Sequence, residues 1–235
     1  MKIDTILFDL DGTLLPMDQD IFIKAYFKKI SSALYKHGYD PSQLINAIWK
    51  GTSAMILNDG TKSNEQVFWD TVSSIYGEKI LKDKTFFDDF YLNEFDSIKQ
   101  VTSFNPLASK TVKALINSGY TVALATNPIF PKTATQKRVQ WAGLKLSDFA
   151  VYTTYENINF SKPNLKYYQT VADKLNVKPQ QCLMVGNDVD DDMVAQNIGM
   201  KVFLLTDCLI NKSASDISQY PNGDFNALYQ YIQTI

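Results

Sequence analysis

Two aspartates directly after a short apolar run are the feature that most restricts how this chain can fold. The run extends from Ile3 to Phe8, and the segment Asp9-Leu10-Asp11-Gly12-Thr13 follows it. Consecutive apolar residues predict a strand that is buried on both faces, as in a parallel sheet. Ligands of open α/β sheets bind beyond the carboxyl ends of such strands. The sequence therefore places two carboxylates and a turn-forming glycine where a ligand site is expected.

Four further apolar runs have the same character, and helical segments separate them. The runs are Thr121–Ala125, Ala150–Thr153, Cys182–Val185 and Lys201–Leu205. Helices are predicted at about 105–119, 132–141, 164–175 and 190–198. Strands that alternate with helices of this length indicate βαβ units. We therefore predict an α/β fold built on a parallel sheet.

A different region lies between the first two predicted strands, from residue 16 to about 97. It shows three or four helical patterns, at Ile21–Lys36, Ser42–Leu57, Glu65–Tyr76 and Thr85–Phe95. A stretch of this length is too long for a simple crossover, so we interpret it as an all-helical insertion on one side of the sheet. The predicted domains are a core of residues 1–15 and 98–235 and a helical cap of residues 16–97.

Composition argues against several classes of partner. The 235 residues carry a net charge of −2, and 45% are hydrophobic and 20% charged, an ordinary balance for a globular protein. This balance does not suggest binding to a nucleic-acid polymer or to anionic membranes. We expect no membrane span and no secretory signal. Cys182 and Cys208 form no C-x-x-C pair, so we expect reduced thiols and a cytoplasmic protein, of unknown oligomeric state.

Three more polar segments follow predicted strands and would meet the two aspartates at one edge of the sheet. Thr126 and Asn127 follow the second strand and can donate hydrogen bonds to a phosphate oxygen. Lys162 precedes a proline and a helix and can supply a compact positive charge. Asn187 is followed by an acidic cluster, which a cation would stabilise: Asp188, Asp190, Asp191 and Asp192. The structural alternatives are a turn at Asn127, an exposed lysine and helix capping by the aspartates.

Taken in order, these segments resemble the haloacid dehalogenase-like hydrolase superfamily, in the branch whose helical cap lies between the first and second motifs. The resemblance extends from Asp9 to Gly199. It implies a Rossmann-like core, a Mg²⁺ cofactor and an aspartyl-phosphate intermediate. Asp9 would be the nucleophile and Asp11 the general acid and base, and both would contact the metal, Asp11 through its backbone carbonyl. The residues that would bind the phosphoryl group are Thr126, Asn127 and Lys162.

One position departs from the superfamily's pattern. Aspartate usually follows the glycine of the fourth motif directly, whereas here Asn187 follows Gly186 and Asp188 comes next. Either Asp188 binds the metal with the register shifted by one residue, or Asn187 binds it through its amide oxygen. We favour Asp188, with Asp192 orienting the ligands from outside.

Asp11 also helps to distinguish activities within the superfamily, because the members that act as dehalogenases generally lack the second aspartate. The aspartate predicts a Mg²⁺-dependent phosphatase that acts on small phosphorylated metabolites, such as nucleotides or sugar phosphates. A sugar phosphomutase uses the same residues and is the first alternative. A non-catalytic binding protein on the same fold is the second.

The helical insertion is rich in aromatic residues and would decide which substrate is accepted. Helical spacing indicates that they build the core of the insertion first and contact substrate only second. Trp49 either faces the site together with Thr52 or is buried between the cap helices, and we favour burial. The segment from Asn211 to Ile235 shows no feature that we can connect to a chemistry. The aromatic residues are Phe22, Tyr26, Phe27, Phe68, Trp69, Phe86, Phe87, Phe90 and Tyr91.

Overall fold

A five-stranded parallel sheet is the centre of the fold in a computed structural model, which describes residues 2–235. Its strands are β1 (Thr5–Phe8), β2 (Thr121–Leu124), β3 (Cys182–Gly186), β4 (Lys201–Leu205) and β5 (Asn222–Gly223), in the order β2-β1-β3-β4-β5. Phe8 is paired with Leu124 on one side and with Val185 on the other. The carboxyl ends of β1, β2 and β3 therefore meet at one edge, and the predicted α/β class with a parallel sheet is confirmed.

A series of helices lies between β1 and β2. They are α1 (Gln19–Tyr35), α2 (Pro41–Ile56), α3 (Asn64–Tyr76), α4 (Lys79–Lys82) and α5 (Lys84–Asp89), followed by a π turn (Phe90–Glu94) and a 3₁₀ segment (Phe95–Val101). Asp18, Asp40 and Ser63 begin the three long helices, where each side chain accepts a hydrogen bond from the first turn. This placement is the expected one for a helical insertion. The division into domains of 1–15 with 98–235 and of 16–97 stays a prediction.

Helices cover both faces of the sheet. They are α6 (Pro106–Asn117), α7 (Lys132–Trp141), α8 (Leu165–Leu175) and α9 (Phe225–Ile232). Ile6 and Phe8 of β1 pack in one apolar cluster with residues of α6, α7 and α9, and Leu7 packs in a second cluster with residues of α8. All three side chains are fully buried. β1 is apolar without alternation because both of its faces are covered.

Two of the predicted elements differ from the structure. Ala150–Thr153 was expected to form a strand, and its backbone does bond to Val122 and Leu124 of β2, at 2.8 to 3.1 Å. It does not become a regular strand, because Tyr152 forms a single isolated bridge with Leu124. The chain then leaves the sheet, since the amide of Tyr155 donates to the carbonyl of Phe130 at 3.1 Å. The predicted helix at Thr85–Phe95 is also interrupted, because α5 gives way to the π turn.

The predicted helix at 190–198 is shorter and tighter than expected. A 3₁₀ segment begins only at Met193 and ends at Ile198. Before it, Oδ1 of Asp188 accepts hydrogen bonds from the amides of Asp190 at 2.8 Å and Asp191 at 3.0 Å. Such local bonding by an aspartate competes with helix formation. The acidic segment is therefore a loop that turns its carboxylates toward the end of β3.

Contacts at several places join the helical insertion to the core, and two of them lie near the candidate site. Where the chain enters and leaves it, Met17 pairs with Thr102. At a second place Asn64, which is fully buried, donates from Nδ2 to Oγ of Ser161 at 3.0 Å and to the carbonyl of Pro128 at 3.1 Å. Ser161 in turn donates to the carbonyl of Met55 at 3.0 Å. The start of α3 is thus fixed to the loop that carries Lys162.

Two expectations from the sequence concern the cysteines, which should be reduced, and membrane-spanning helices, which should be absent. Cys182 is buried in β3 and Cys208 is half-buried, and both are free thiols. Within residues 2–235, none of the helices combines the length and the apolar character that crossing a membrane requires.

Candidate active site

A cavity of about 200 Å³ lies at the carboxyl ends of β1, β2 and β3, between the sheet and the helical insertion. The structure brings the residues that we selected from the sequence together in its lining, and their roles stay predictions. These residues are Asp9, Asp11, Thr126, Asn127, Lys162, Asn187, Asp188 and Asp192.

Asp9 is the first residue after β1, and its amide continues the sheet pairing by donating to the carbonyl of Val185 at 2.9 Å. Its side chain is 7% exposed. Burial raises the pKa of Asp9 from 3.8 to about 7, although Lys162 opposes the shift, and the nearby Asp192 and Asp11 add to it. Such a carboxylate is fully ionised near neutral pH only when a further positive charge comes close.

Lys162 is the positive charge nearest to Asp9. Its Nζ donates to Oδ1 of Asp9 at 2.8 Å and to Oδ1 of Asp192 at 2.6 Å, and all three side chains are buried. Burial disfavours the charged lysine, but Asp192 and Asp9 outweigh it and raise the pKa of Lys162 well above its usual value. The remaining oxygen of Asp192 accepts from the amide of Asp188 at 3.0 Å. Asp192 therefore fixes both Lys162 and the acidic loop.

Thr126 and Asn127 follow β2 and are held differently. The carbonyl of Thr126 accepts hydrogen bonds from the hydroxyls of Thr153 at 2.7 Å and Tyr167 at 2.8 Å. Oδ1 of Asn127 accepts from the amide of Lys162 at 3.3 Å, and its Nδ2 lies 3.5 Å from Oδ2 of Asp191. Both ends of the Asn127 amide are thus engaged with neighbouring residues. Thr126 is buried and lines the cavity.

Asn187 connects two loops through its side-chain amide. Its Oδ1 accepts from Oγ1 of Thr13 at 3.0 Å, and its Nδ2 donates to the carbonyl of Cys208 at 2.6 Å. Gly12, with φ of +82°, lies so close that a Cβ there would be 2.3 Å from Nδ2 of Asn187. Asn187 therefore supports the loop after β1. Asp188 is half-buried and lines the cavity, and burial raises its pKa.

Comparison with known proteins identifies the family. A family model described as haloacid dehalogenase-like hydrolase matches residues 3–199. The chain belongs to the haloacid dehalogenase-like hydrolases. The predictions of the family and of a hydrolase are confirmed.

Two relatives of this hydrolase carry the names of phosphatases. It is 31% identical over 206 residues to pyrophosphatase PpaX from Bacillus thuringiensis (strain Al Hakam), which covers 86% of this chain and 82% of that protein. It is 29% identical over 205 residues to phosphoglycolate phosphatase from Vibrio parahaemolyticus, which covers 87% of this chain and 84% of that protein. Each alignment is longer than the core or the insertion alone and therefore includes parts of both.

Solved structures of the same fold cover nearly the whole hydrolase. One, from Haemophilus somnus 129PT and described as a predicted phosphoglycolate phosphatase, has a TM-score of 0.60 at 20% identity and covers 98% of both chains. A phosphatase from Thermococcus onnurineus has a TM-score of 0.56 at 20% identity and covers 99% of this chain and 98% of that one. At these identities the likeness shows the fold alone.

Arg138 is a site residue that the sequence analysis missed. It is the single arginine among the 23 basic residues of the hydrolase and lies on α7, with no exposed surface. Its Nη1 donates to Oδ2 of Asp11, and its guanidinium carbon lies 4.4 Å from the ring centre of Phe130. The presence of a single arginine in a lysine-rich chain could have identified this position from the sequence. Only a guanidinium group combines a fixed charge with stacking on an aromatic ring.

Asp11 has one oxygen bound and one free. While Oδ2 accepts from Arg138, Oδ1 is buried without a hydrogen-bond partner among residues 2–235. Burial raises the pKa of Asp11, although the charges of Arg138 and Lys162 oppose the shift. A carboxyl group held at one oxygen and unpaired at the other is suited to carry a proton on the unpaired oxygen.

We expect Arg138→Lys to lower the free energy of unfolding by about 1–3 kcal/mol. Lysine can still pair with Asp11, but it loses the stacking on Phe130 and the weak bonds to the carbonyl of Ala134 and Oγ1 of Thr135, both at 3.4 Å. Urea denaturation measures the loss. Gln136→Lys, on an exposed position of the same helix, is the control and should change stability by less than about 0.5 kcal/mol. Equal stability of Arg138→Lys and the unchanged enzyme would contradict this role.

Lys212 also lines the cavity. It belongs to the segment from Asn211 to Ile235, in which the sequence showed no feature that we could connect to a chemistry. It lies near the acidic loop and favours ionisation of Asp188 and Asp191. Burial nevertheless raises the pKa of Asp191 to about 6, with Lys162 opposing and Asp188 reinforcing the shift. The nearby lysines therefore neutralise the negative charge of the acidic cluster only in part.

The excess of acidic groups at the sheet end of the cavity favours the binding of a divalent cation. Among the residues that the structure describes there are five carboxyl groups and three positive side chains, so full ionisation would leave an excess of two negative charges. No three histidine, cysteine or acidic side chains within residues 2–235 are placed to hold a metal by themselves. Mg²⁺ needs few protein oxygens and keeps several waters, so this oxygen-only set fits it. The carboxylates are Asp9, Asp11, Asp188, Asp191 and Asp192, and the positive side chains are Arg138, Lys162 and Lys212.

The opposite wall of the cavity comes from the helical insertion and is largely aromatic. Trp49 belongs to it and is 46% exposed. Our preferred interpretation of Trp49 as buried between the cap helices is therefore wrong. The indole is instead supported by the ring of Phe27, with 5.2 Å between ring centres. Thr52, one helical turn later, lines the same wall.

Proposed function

We propose that this hydrolase releases phosphate from small phosphate monoesters through an aspartyl-phosphate on Asp9. The observation that carries the proposal is the buried contact between Nζ of Lys162 and Oδ1 of Asp9 at the cavity. A carboxylate can attack a phosphoryl group only when their mutual repulsion is compensated, and a fixed ammonium group does this. The phosphatase names of the two relatives support the same class of reaction.

The proposed reaction has two steps, and Asp11 transfers a proton in each. An oxygen of Asp9 attacks phosphorus, the bond from phosphorus to the leaving oxygen breaks, and protonated Asp11 gives its proton to that oxygen. Water then attacks phosphorus, Asp11 accepts a proton from it, and the bond between phosphorus and Asp9 breaks. Free phosphate and the Asp9 carboxylate result. We assign both transfers to the carboxyl group of Asp11, which lines the cavity and is held by Arg138.

The hydroxyl of Thr126 and the ammonium group of Lys162 are the groups that we assign to the phosphoryl oxygens. Asn127 was predicted to share this role, but its amide holds the backbone of Lys162 and lies against Asp191. We therefore propose that Asn127 positions Lys162.

We propose Mg²⁺ as the cofactor, held by Asp9, the backbone carbonyl of Asp11 and Asp188. When bound, it supplies positive charge to the phosphoryl oxygens. Asp188 is preferred over Asn187 because the amide oxygen of Asn187 already accepts from Thr13. Asp192 orients this set through its bond to the amide of Asp188.

Phosphate release tests the proposed function. We expect a panel of phosphate monoesters to contain substrates whose release in the presence of Mg²⁺ exceeds release with a chelator by at least about 100-fold. Each reaction is followed by free phosphate and by chromatography of the organic product. An isomerised phosphate ester without free phosphate would identify a mutase instead. A folded protein that changes no member of the panel would overturn the enzymatic proposal.

We expect Mg²⁺ to bind this enzyme more weakly as the pH falls. Cation binding requires ionised carboxylates, and Asp9 has a pKa of about 7. The dissociation constant should therefore be about tenfold higher at about pH 6 than at about pH 8. Titration calorimetry measures both values, and Asp9→Asn should lose most of the pH dependence. Equal affinity at the two pH values would contradict Asp9 as a ligand.

We also propose a cytoplasmic location and small phosphorylated partners. The free thiols of Cys182 and Cys208 support a reducing compartment. The small cavity at the sheet edge supports substrates that enter it whole.

A further inference from the structure

We propose that the substrates carry a small apolar leaving group, of the size of one aromatic ring, and that leaving groups with a second negative charge are rejected. The inference rests on the proposed phosphatase function and concerns only the part of the substrate beyond the phosphoryl group. It separates this enzyme from the substrates in the names of its relatives, because glycolate and phosphate are both anionic leaving groups.

Aromatic rings form most of the wall that would face the leaving group. Six of these rings come from α1, α2, α3 and α5: Phe22, Phe27, Trp49, Phe68, Trp69 and Phe87. Two pairs pack edge to face, Phe68 with Trp69 and Trp69 with Phe87, with ring centres 5.2 and 5.1 Å apart. A rigid aromatic surface gains free energy by burying apolar surface of a ligand.

Positive charge is absent from this wall. Among the described residues of the helical insertion that line the cavity, Asp88 is the charged one, and no lysine, arginine or histidine is present. A carboxylate or second phosphate on the leaving group would therefore meet apolar rings and a like charge, which is costly without a partner.

The positive groups elsewhere at the cavity lie on the side of the sheet, and two of the three are already paired. Lys162 is shared by Asp9 and Asp192, and Arg138 is bound to Asp11. Lys212 is on the sheet side, near the acidic loop. Positive charge is therefore available to the transferred phosphoryl group, whereas the aromatic wall offers none to the leaving group.

Cavity size and the polar groups of the wall narrow the leaving group further. About 200 Å³ is below the range of about 300–1,000 Å³ that is usual for drug-sized ligands. The hydroxyls of Tyr26 and Tyr91 bond to each other at 2.8 Å. Gln19 and Thr52 are uncharged polar side chains that also line the wall. A single ring with at most a neutral polar substituent fits this combination.

Three phosphate monoesters and one anhydride, pyrophosphate, test the inference. We expect kcat/KM for benzyl phosphate to exceed that for ethyl phosphate, phosphoglycolate and pyrophosphate by at least about tenfold. Relative to ethyl phosphate, a phenyl ring replaces the methyl group in benzyl phosphate and a carboxylate replaces it in phosphoglycolate. Pyrophosphate has the better leaving group, so a preference for benzyl phosphate cannot come from intrinsic reactivity. Turnover of phosphoglycolate or pyrophosphate as fast as benzyl phosphate would overturn the inference.

Binding without turnover separates this inference from the proposed function. Calorimetry with benzylphosphonate and phosphonoacetate, which cannot be hydrolysed, compares a ring with a carboxylate in the same cavity. We expect benzylphosphonate to bind at least about tenfold more tightly. Equal or tighter binding of phosphonoacetate overturns the inference, whether or not the enzyme releases phosphate from any ester. A failure of hydrolysis alone would count against the proposed reaction and leave this preference measurable.

Trp49 offers a variant that should not disturb folding, because its side chain is 46% exposed. We expect Trp49→Ala to weaken benzylphosphonate binding about tenfold and phosphonoacetate binding far less. Tyr35→Ala is the matched control, since Tyr35 is 68% exposed on α1 and does not line the cavity. We expect Thr52→Lys, which adds positive charge to the wall, to improve phosphonoacetate binding. Equal effects of Trp49→Ala on both ligands would contradict contact between this wall and the leaving group.

Discussion

Asp9→Asn is expected to lower the rate of phosphate release by at least about 10⁴-fold, on any ester that the unchanged enzyme hydrolyses. The amide oxygen of asparagine is a far weaker nucleophile than a carboxylate and cannot form the same acyl phosphate. The change is nearly isosteric, so Lys162 keeps its contact with Asp192 at 2.6 Å. Steady-state phosphate release under saturating Mg²⁺ measures the effect.

A matched aspartate provides the control for this experiment. Asp190 belongs to the acidic loop but is exposed and lies outside the cavity lining. Asp190→Asn removes the same charge and should retain activity within about twofold. Activity of Asp9→Asn near that of Asp190→Asn would mean that water attacks the ester directly and that Asp9 is not the nucleophile.

Lys162→Met is expected to lower the free energy of unfolding by about 3–5 kcal/mol at about pH 8. The substitution leaves Asp9 and Asp192 buried at the cavity without their shared positive charge. At about pH 5 the loss should be smaller, because burial has already raised the pKa of Asp9 to about 7 and a protonated carboxyl group needs no counter-charge. Urea denaturation at the two pH values measures both losses.

Two further variants make the result specific to the buried pair. Lys174→Met changes an exposed lysine on α8 and should alter stability by less than about 0.5 kcal/mol. Adding Asp192→Asn to Lys162→Met should recover part of the lost stability, since it removes one of the unpaired charges. If Lys162→Met were as stable as Lys174→Met at about pH 8, Lys162 would not be neutralising the two carboxylates.

Buried strands were predictable because consecutive apolar residues need cover on both faces, and β1 and β3 have it. The same reasoning was only partly right at Ala150–Thr153, since an apolar run does not say how much backbone pairing the fold offers it. There the backbone bonds to Val122 and Leu124 of β2 without forming a regular strand, and the side chain of Thr153 bonds to the carbonyl of Thr126. Local sequence carries burial, while the extent of strand pairing depends on distant segments.

The residues of the site also divide into those that could be selected from the sequence and those that depend on the fold. Asp9 and Lys162 were selected because residues at strand ends of a parallel sheet converge, and the structure brings their side chains to 2.8 Å. Arg138 was missed because its partner Asp11 is 127 positions away, and an arginine on a helix is ordinarily exposed. Asn187 could not be assigned from sequence, because its neighbours Thr13 and Cys208 are defined only by the fold.

A single buried guanidinium gives this enzyme a built-in chemical reporter. Reagents selective for arginine have one target in the whole chain, and it has no exposed surface while it is bound to Asp11. The rate at which such a reagent reacts therefore measures how often the buried end of the active site opens to solvent. A ligand that holds the cavity closed would slow the labelling of Arg138, so mass spectrometry of one peptide would follow opening and closing without any added probe.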